Sequence, residues 1–192
     1  MIYEIAKKRR SIRKYKECHL DNAVLCKIAE CGTFYPSRGN KQPLKFYLIQ
    51  RQEICSDVFS SILWGSKVSK FKSFANIAFQ PAAYILVAID KSISKSGYEY
   101  EIGAAVQNIL LCATEFNIAS LWVKSFEKKK IIELLELGDD LEPDSLILLG
   151  CANQESKVVN FSDDISVMVN TEDDLNMEVP KRAITDVVKI IY

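Results

Sequence analysis

Three cations and a hydroxyl group lie within five residues near the start of the chain, at Arg9-Arg10-Ser11-Ile12-Arg13. Arginine guanidinium groups match phosphate oxygens two at a time, and a serine hydroxyl adds one more hydrogen-bond donor. A buried or half-buried phosphate is the ligand that this segment would suit best. The same run also fits a solvated basic surface, so it predicts a phosphate site only together with other segments.

Two further segments could complete such a site. Residues 36–43, with the sequence PSRGNKQP, hold two prolines, a glycine and an asparagine, which prevent regular secondary structure. Residues 180–182, with the sequence PKR, add two cations near the other end of the chain. Because loops on small domains often carry function, residues 36–43 are a candidate for direct contact with a ligand.

Length and composition restrict the class of protein. The chain has 192 residues, which fits a single domain with a sizeable core. Lys plus Arg and Asp plus Glu each number 25, so the net charge is zero and no nucleic-acid partner is expected. There is no secretory signal and no apolar run near the roughly 20 residues that a membrane helix needs. We therefore expect a cytoplasmic protein without a membrane partner.

Six cysteines are spread along the chain without a C-x-x-C pair. In a chain without a secretory signal, this pattern predicts reduced thiols that serve mainly in packing. The spacing of Cys18, His19, Cys26 and Cys31 matches no zinc pattern, so no metal site is expected. His19 is the single histidine, and we expect it at the surface.

Hydrophobic periodicity predicts the elements that must position these segments. Helices are expected at residues 2–8, between Asp21 and Gly32, and at 53–63, 101–116 and 127–137. Strands are expected at residues 44–49, 82–89, 119–126 and 145–152. The basic segment 65–76 predicts a loop or lid with some helix, and the polar, acidic residues 154–179 predict loop with short pieces of structure. Helices and short strands mix without a strict βαβ period, which indicates an α+β fold.

Helix 101–116 is the clearest of these elements, and it is apolar nearly all round. A helix of that kind is buried on most sides. In a chain of this length, we expect a sheet on one side of it and another subunit on the other. The end of the chain, with Val187, Val188, Ile190 and Ile191, is also too apolar for a free tail.

Together these segments resemble the nitroreductase family of flavoproteins, in the order in which that family has them. Residues 9–13 are similar to its R-R-S-x-R motif, and residues 36–43 to its P-S-x-x-N-x-Q-P loop. Residues 101–111 are similar to the D-x-G-x-A-x-Q-N-L-L-L start of its central helix, and residues 180–182 to its C-terminal basic motif. The resemblance covers the whole chain. It implies an α+β fold with a central mixed or antiparallel sheet flanked by helices, in an intertwined homodimer.

The resemblance implies FMN as the cofactor, bound in two sites at the dimer interface. In the family, the N-terminal motif holds the phosphate and the polar side of the flavin, and the C-terminal cations add phosphate contacts. The family's proline-rich loop reaches the flavin of the partner chain, and a backbone N–H in the segment matching 122–126 faces flavin N5. The implied cofactor-binding residues are Arg9, Arg10, Ser11, Arg13, Pro36, Ser37, Asn40, Gln42, Lys124, Ser125, Lys181 and Arg182.

The activity that the resemblance implies is oxidation of NADH or NADPH and reduction of a small acceptor, such as a nitroaromatic or a quinone, in ping-pong order. The flavin carries this chemistry, so no catalytic side chain is expected. Glu101 stands where the family has Asp, and Leu44 where it has an aromatic residue, which leaves the acceptor open. Two alternatives stay open: a flavin-binding sensor or chaperone without turnover, and a flavin enzyme of other chemistry, such as dehalogenation.

Overall fold

An antiparallel sheet between two layers of helices forms the centre of the fold. The computed structural model describes residues 1–64, 80–160, 169–170 and 176–191. The loop or lid expected at residues 65–76 lies outside these ranges. Among the described residues, no helix has the length and apolar character needed to span a membrane.

The helices and strands agree closely with those expected from periodicity. The helices are α1 (Ile2–Lys8), α2 (Asn22–Cys31), α3 (Gln52–Ser60), α4 (Glu99–Glu115), α5 (Lys128–Leu134) and α6 (Ile184–Val187), with a short 3₁₀ segment at Arg38–Asn40. The strands are β1 (Tyr15–Lys16), β2 (Leu44–Ile49), β3 (Ala83–Asp90), β4 (Ala119–Val123), β5 (Leu141–Ala152), β6 (Glu155–Asn160), β7 (Val169–Asn170) and β8 (Asn176–Lys181).

The central sheet is built around β3 and β5. Strand β3 lies between β2 and β5, while β5 also pairs with β4 and, at its C-terminal end, with β1. Every pair in this sheet is antiparallel. The expected α+β class with a central antiparallel sheet is therefore confirmed.

Alternate residues of β3 face the two helical layers. Ala83, Ile85, Val87 and Ile89 pack in the cluster that holds α2 and α4, whereas Tyr84 and Leu86 pack in the cluster that holds α3 and α5. Because both faces of the strand are covered, its sequence is a continuous apolar run instead of an alternating one.

Two turn residues define the position of α2 against α4. The Asp21 carboxylate accepts the backbone N–H of Val24 at 3.0 Å, so the expected N-cap is confirmed. At the other end, a Cβ atom on Gly32 would lie 2.8 Å from Cδ1 of Ile109 in α4. Glycine therefore permits the close approach of these two helices.

Residues 154–179 were expected to be loop with short pieces of structure, and their described parts contain short strands whose pairing was not predicted. Strand β6 pairs in parallel with β8, and β7 pairs antiparallel with β8, to form a second, smaller sheet. Strand β6 is largely exposed and polar, so it lacks the apolar alternation by which a half-buried strand is recognised.

The apolar end of the chain is exposed when one chain is considered alone. Val187, Val188, Ile190 and Ile191 have between 50% and 94% of their surface accessible. Apolar residues of this kind are expected to be buried, and the described part of a single chain does not cover them.

One pair of cysteines departs from the expectation of reduced thiols. Cys18 and Cys151 form a disulfide, with Cα atoms 6.1 Å apart. Sheet pairing of Lys16 with Cys151 brings the two together across 133 residues of sequence, a contact that spacing along the chain does not reveal. Of the free cysteines, Cys26 is exposed and Cys55 is buried, and burial raises the pKa of the Cys55 thiol to about 11.

We expect iodoacetamide at pH 8 to modify Cys26 readily and Cys55 about 100-fold more slowly, because the buried thiol rarely forms the reactive thiolate. Cys18 and Cys151 should react only after reduction with dithiothreitol. Mass spectrometry of tryptic peptides, with and without the reductant, measures all four sites. Modification of Cys18 in the untreated protein would contradict the disulfide.

Candidate anion and cofactor site

The segment 9–13 runs along the outer edge of β4. The backbone N–H of Ile12 donates to the carbonyl oxygen of Ser120 at 3.0 Å, and Ser11 and Ser120 form an isolated parallel bridge. The bridge sets the position of Ser11 along β4. The cations on either side of Ser11 therefore extend from a defined backbone.

A glutamine side chain holds the far end of this segment. Gln154 Oε1 accepts the backbone N–H of Arg13 at 2.9 Å and that of Lys14 at 3.3 Å. The carbonyl oxygen of Lys14 in turn accepts the backbone N–H of Asn153 at 2.9 Å. Because Asn153 and Gln154 directly follow β5, these bonds attach the segment to the end of the central sheet.

Tyr15 adds a third attachment. Its hydroxyl donates to the carbonyl oxygen of Ile12 at 2.8 Å, and its ring lies against Gly150. A Cβ atom on Gly150 would lie 2.6 Å from Cδ1 of Tyr15 and 3.3 Å from the backbone nitrogen of Ala82. Glycine is therefore required at residue 150 for the ring of Tyr15 to pack there and hold the segment 9–13 through Ile12.

Gly150→Ala is expected to lower the free energy of unfolding by about 1–3 kcal/mol, because the new methyl group must displace Tyr15. The matched control is Gly103→Ala in α4, where an added Cβ meets nothing within 4 Å. That change should be neutral or stabilise the protein by up to about 1 kcal/mol, the difference in helix propensity. Urea denaturation measures both variants. Wild-type stability of Gly150→Ala would contradict this packing.

A pocket of ≈ 200 Å³ opens beside the segment, between the end of α1, the end of α4 and the start of β4. Three consecutive cations line it on one side, and three hydroxyl residues line it elsewhere: Lys8, Arg9, Arg10, Thr114, Ser120 and Ser156. No carboxylate from the described residues lines this pocket. The lining is therefore suited to an anion.

Burial of the arginines supports the same conclusion. Burial lowers the pKa of Arg9 and of Arg13, and burial together with the charge of Arg9 lowers the pKa of Arg10. A guanidinium group stays charged in proteins, so these shifts mark a desolvation cost and a repulsion that a bound anion would relieve.

Arg10 and Arg13 already have contacts within the chain. The Arg10 guanidinium donates to the carbonyl oxygens of Arg9 and Lys7, so it caps the C-terminal end of α1. Arg13 Nη1 donates to the carbonyl oxygen of Ser11 at 3.3 Å and lies 3.8 Å from Sδ of Met177 in β8. Arg10 thus lines the pocket, whereas Arg13 contacts β8 and, like Ser11, is not among the lining residues.

Ser120 is a candidate that the sequence analysis missed. Ser120 lines the pocket and is 2% exposed, and its buried Oγ has no hydrogen-bond partner among the described residues. A buried hydroxyl without a partner costs about 1–3 kcal/mol. Ser120 is therefore a candidate donor in the wall of the pocket. The available signal in the sequence was a polar residue at the start of an otherwise apolar strand.

The end of β4 leads into residues 124 and 125. Because Ser120 directs its carbonyl oxygen away from β5, alternation along the strand directs the backbone N–H group of Trp122 the same way, and Lys124 and Ser125 directly follow the strand. The Lys124 ammonium lies 3.1 Å from Oδ1 of Asp144, and the carbonyl oxygen of Ser125 accepts the backbone N–H of Leu63 at 2.9 Å. The structure thus places residues 9–13 beside β4, whereas the contacts of Lys124 and Ser125 go to Asp144 and Leu63.

The loop 36–43 lies elsewhere in the same chain. Pro36 and residues 38–42 are exposed, and the backbone N–H of Arg38 donates to Glu101 Oε1 at 2.9 Å, in the first turn of α4. Within the loop, Gln42 Nε2 donates to Oδ1 of Asn40 at 2.8 Å. The loop therefore projects from the N-terminal end of α4.

Within one chain, the two motifs lie at opposite ends of the fold. Glu101 contacts the loop, whereas Thr114 lines the arginine pocket, and about 20 Å of helix separates these two residues. The sheet gives the same result. Pro43 bonds to Asp90 at one end of β3, and Ala82, about 26 Å away at the other end, lies with Tyr15 against Gly150.

Lys181 and Arg182 are the remaining predicted site residues. Both are exposed, and Lys181 pairs with Asn160 at the end of β8. Met177, which contacts Arg13, precedes them on the same strand, and at least about 13 Å of extended chain separates it from Lys181. The described contacts do not join Lys181 to the arginines of the segment 9–13, so its place in the site stays a prediction.

Comparison with known proteins gives one consistent family. A sequence model described as the Nitroreductase family matches residues 6–151. Over 162 residues, the chain is 28% identical to a protein of Archaeoglobus fulgidus that is provisionally named NADH dehydrogenase/NAD(P)H nitroreductase, which covers 81% of this chain and 87% of that protein.

Solved structures agree with this match. A nitroreductase family protein from Clostridium difficile 630 has a TM-score of 0.65 and 28% identity, over 79% of this chain and 83% of that chain. A provisionally named nitroreductase from Desulfovibrio desulfuricans, solved in complex with FMN, has a TM-score of 0.64 and 24% identity, over 78% and 84%. The second likeness, at its lower identity, is one of fold.

Proposed function

Because the chain belongs to the nitroreductase family, we propose that it is an FMN-dependent oxidoreductase that oxidises NADH or NADPH and reduces small acceptors such as nitroaromatics or quinones. The observation that carries the proposal is the pocket beside β4. It combines three consecutive cations, a buried hydroxyl without a described partner and no described carboxylate. A phosphate monoester matches that set of donors.

FMN, when bound, would supply the transfer of hydride and electrons, so the protein has to bind and orient it. Arg9, with Ser11 and Ser120, would hold the phosphate, and Arg13 would lie along the polar side of the flavin. The backbone N–H of Lys124, directly after β4, would meet the ring. These roles require donors at fixed positions, and the attachments of the segment 9–13 to Ser120, Gln154 and Tyr15 support that requirement.

We propose further that the protein is a homodimer in which each site takes residues from two chains. The loop 36–43 and the arginine pocket are about 20 Å apart along α4 in one chain, which supports a loop that serves the other chain's pocket. The apolar end of the chain, exposed in the single chain, provides surface that a second chain would cover.

Extraction of the cofactor followed by chromatography tests the proposal, together with steady-state oxidation of NADH and NADPH by a panel of acceptors. We expect FMN, and turnover with at least one nitroaromatic or quinone. FMN without turnover on any acceptor would instead favour a flavin-binding sensor or chaperone. FAD, or a colourless protein that ignores added FMN, would contradict the proposal.

A further inference from the structure

We propose that Glu101 is a positioning residue, whose carboxylate holds the loop 36–43 in the shape that presents Asn40 to the cofactor of the second chain. The inference rests on the proposed function and assigns a role to a residue that touches neither the cofactor nor the substrate.

Glu101 is a buried carboxylate directed at the loop. It lies in the first turn of α4 and is 8% exposed. Its Oε1 accepts the backbone N–H of Arg38 at 2.9 Å, and its Oε2 accepts the hydroxyl of Ser37 at 3.2 Å. A buried charge persists when it is hydrogen-bonded, and here both donors come from the loop. The helix therefore holds the loop through this one side chain at its start.

The bonds continue from Glu101 into the loop. The Ser37 hydroxyl, which donates to Glu101, also accepts the backbone N–H of Gln42 at 2.9 Å. Gln42 Nε2 then donates to Oδ1 of Asn40 at 2.8 Å. A connected series of hydrogen bonds thus leads from the helix to the side chain of Asn40. The hydroxyl of Ser37 already makes two hydrogen bonds within the chain. We therefore assign Ser37 the role of holding the loop in shape and not that of contacting the cofactor.

The backbone of the loop shows why such support is needed. Gly39, Asn40 and Gln42 have φ angles of +63°, +53° and +52°. Asparagine enters the left-handed region more readily than most residues, but a glutamine such as Gln42 rarely does so unless the surroundings hold it there. The bonds from Glu101 through Ser37 to Gln42 are those surroundings. Without them, the loop is expected to relax and Asn40 to lose its orientation.

Mixed dimers test this role, with FMN binding followed by fluorescence titration. Glu101→Ala alone should weaken FMN binding about tenfold or more. When it is refolded together with Arg9→Ala, one site per mixed dimer combines a wild-type Arg9 with a wild-type loop, so wild-type affinity should return at that site. When it is refolded with Asn40→Ala, every site carries one damaged loop, and no site should recover.

A general loss of stability would not produce this pairing pattern, because it would affect all sites of a chain alike. Glu99→Ala is the matched control, since Glu99 lies in the same turn and is exposed, and it should leave FMN affinity unchanged. If Glu101→Ala does not fold, Glu101→Gln replaces one accepting oxygen by an amide NH₂ and should give the same pattern with a smaller loss.

Recovery with Asn40→Ala, or no recovery with Arg9→Ala, would overturn the assignment of Glu101 to the loop. Wild-type affinity of the Glu101 variants would overturn it as well. The proposed function fails in a different way: the wild-type protein would bind no FMN, or the pair Arg9→Ala and Asn40→Ala would show no recovery.

Discussion

Arg9→Ala is expected to weaken FMN binding by about 1.5–3 kcal/mol, or roughly 10- to 150-fold, the range of a hydrogen bond to a charged group. The guanidinium of Arg9 lines the pocket beside β4, where burial lowers its pKa and nearby cations add repulsion. The phosphate of FMN would compensate the positive charge of these cations. Removal of Arg9 would leave the phosphate dianion with fewer hydrogen-bond donors in the partly buried pocket. Arg13→Ala should have an effect of similar size, which fluorescence titration with FMN measures.

Two controls separate loss of the site from loss of the fold. Lys7→Ala removes a positive charge from exposed α1 outside the pocket, where Lys7 pairs with Glu4, and should leave FMN affinity nearly unchanged. Cys112→Ala removes a half-buried side chain that packs between α2 and α4, and should lower stability by about 1 kcal/mol without affecting FMN. Equal loss of FMN affinity in Arg9→Ala and Cys112→Ala would show that the assigned site is a feature of the fold.

Refolding Arg9→Ala together with Asn40→Ala is expected to restore normal FMN binding to one site in each mixed dimer. Each variant alone damages both sites of its own homodimer, because each site would take Arg9 from one chain and Asn40 from the other. In the mixed dimer, one site receives both lesions and the other receives neither. With random pairing, about one quarter of all sites should recover wild-type affinity.

The position of the two motifs makes this outcome specific. Glu101 holds the loop at the start of α4 and Thr114 lines the pocket near its end, so one chain separates them by about 20 Å. If both groups served one site within one chain, every site in the mixture would keep one lesion. Weak binding after verified formation of mixed dimers would therefore reject the shared site, although not the cofactor.

Local sequence patterns predicted the fold well where burial was continuous. Strand β3 is apolar along its length because helices cover both of its faces, and α4 repeats apolar residues at helical spacing. The Asp21 cap and the loop of prolines and glycine also follow from residue types alone. These features depend on neighbours within one turn or one strand, which a sequence shows directly.

Features that depend on contacts between distant residues were not predictable in this way. The Cys18–Cys151 disulfide joins residues 133 positions apart, and sheet pairing alone brings them together. Ser120 became a site candidate only from the structure, which shows the pocket and a Ser120 hydroxyl without a hydrogen-bond partner among the described residues. The bonds of Glu101 to the loop likewise connect residues more than 60 positions apart. Strand β6 escaped prediction because an exposed strand carries little apolar signal.

Anaerobic titration of the purified, FMN-loaded protein with NADH and NADPH, followed by visible absorbance, tests the proposed function most directly. We expect the yellow absorbance to bleach with at least one of the two nicotinamides and to return when a nitroaromatic or quinone is added. A protein that takes up no FMN, or one whose bound FMN keeps its absorbance with both nicotinamides, would contradict the proposed function.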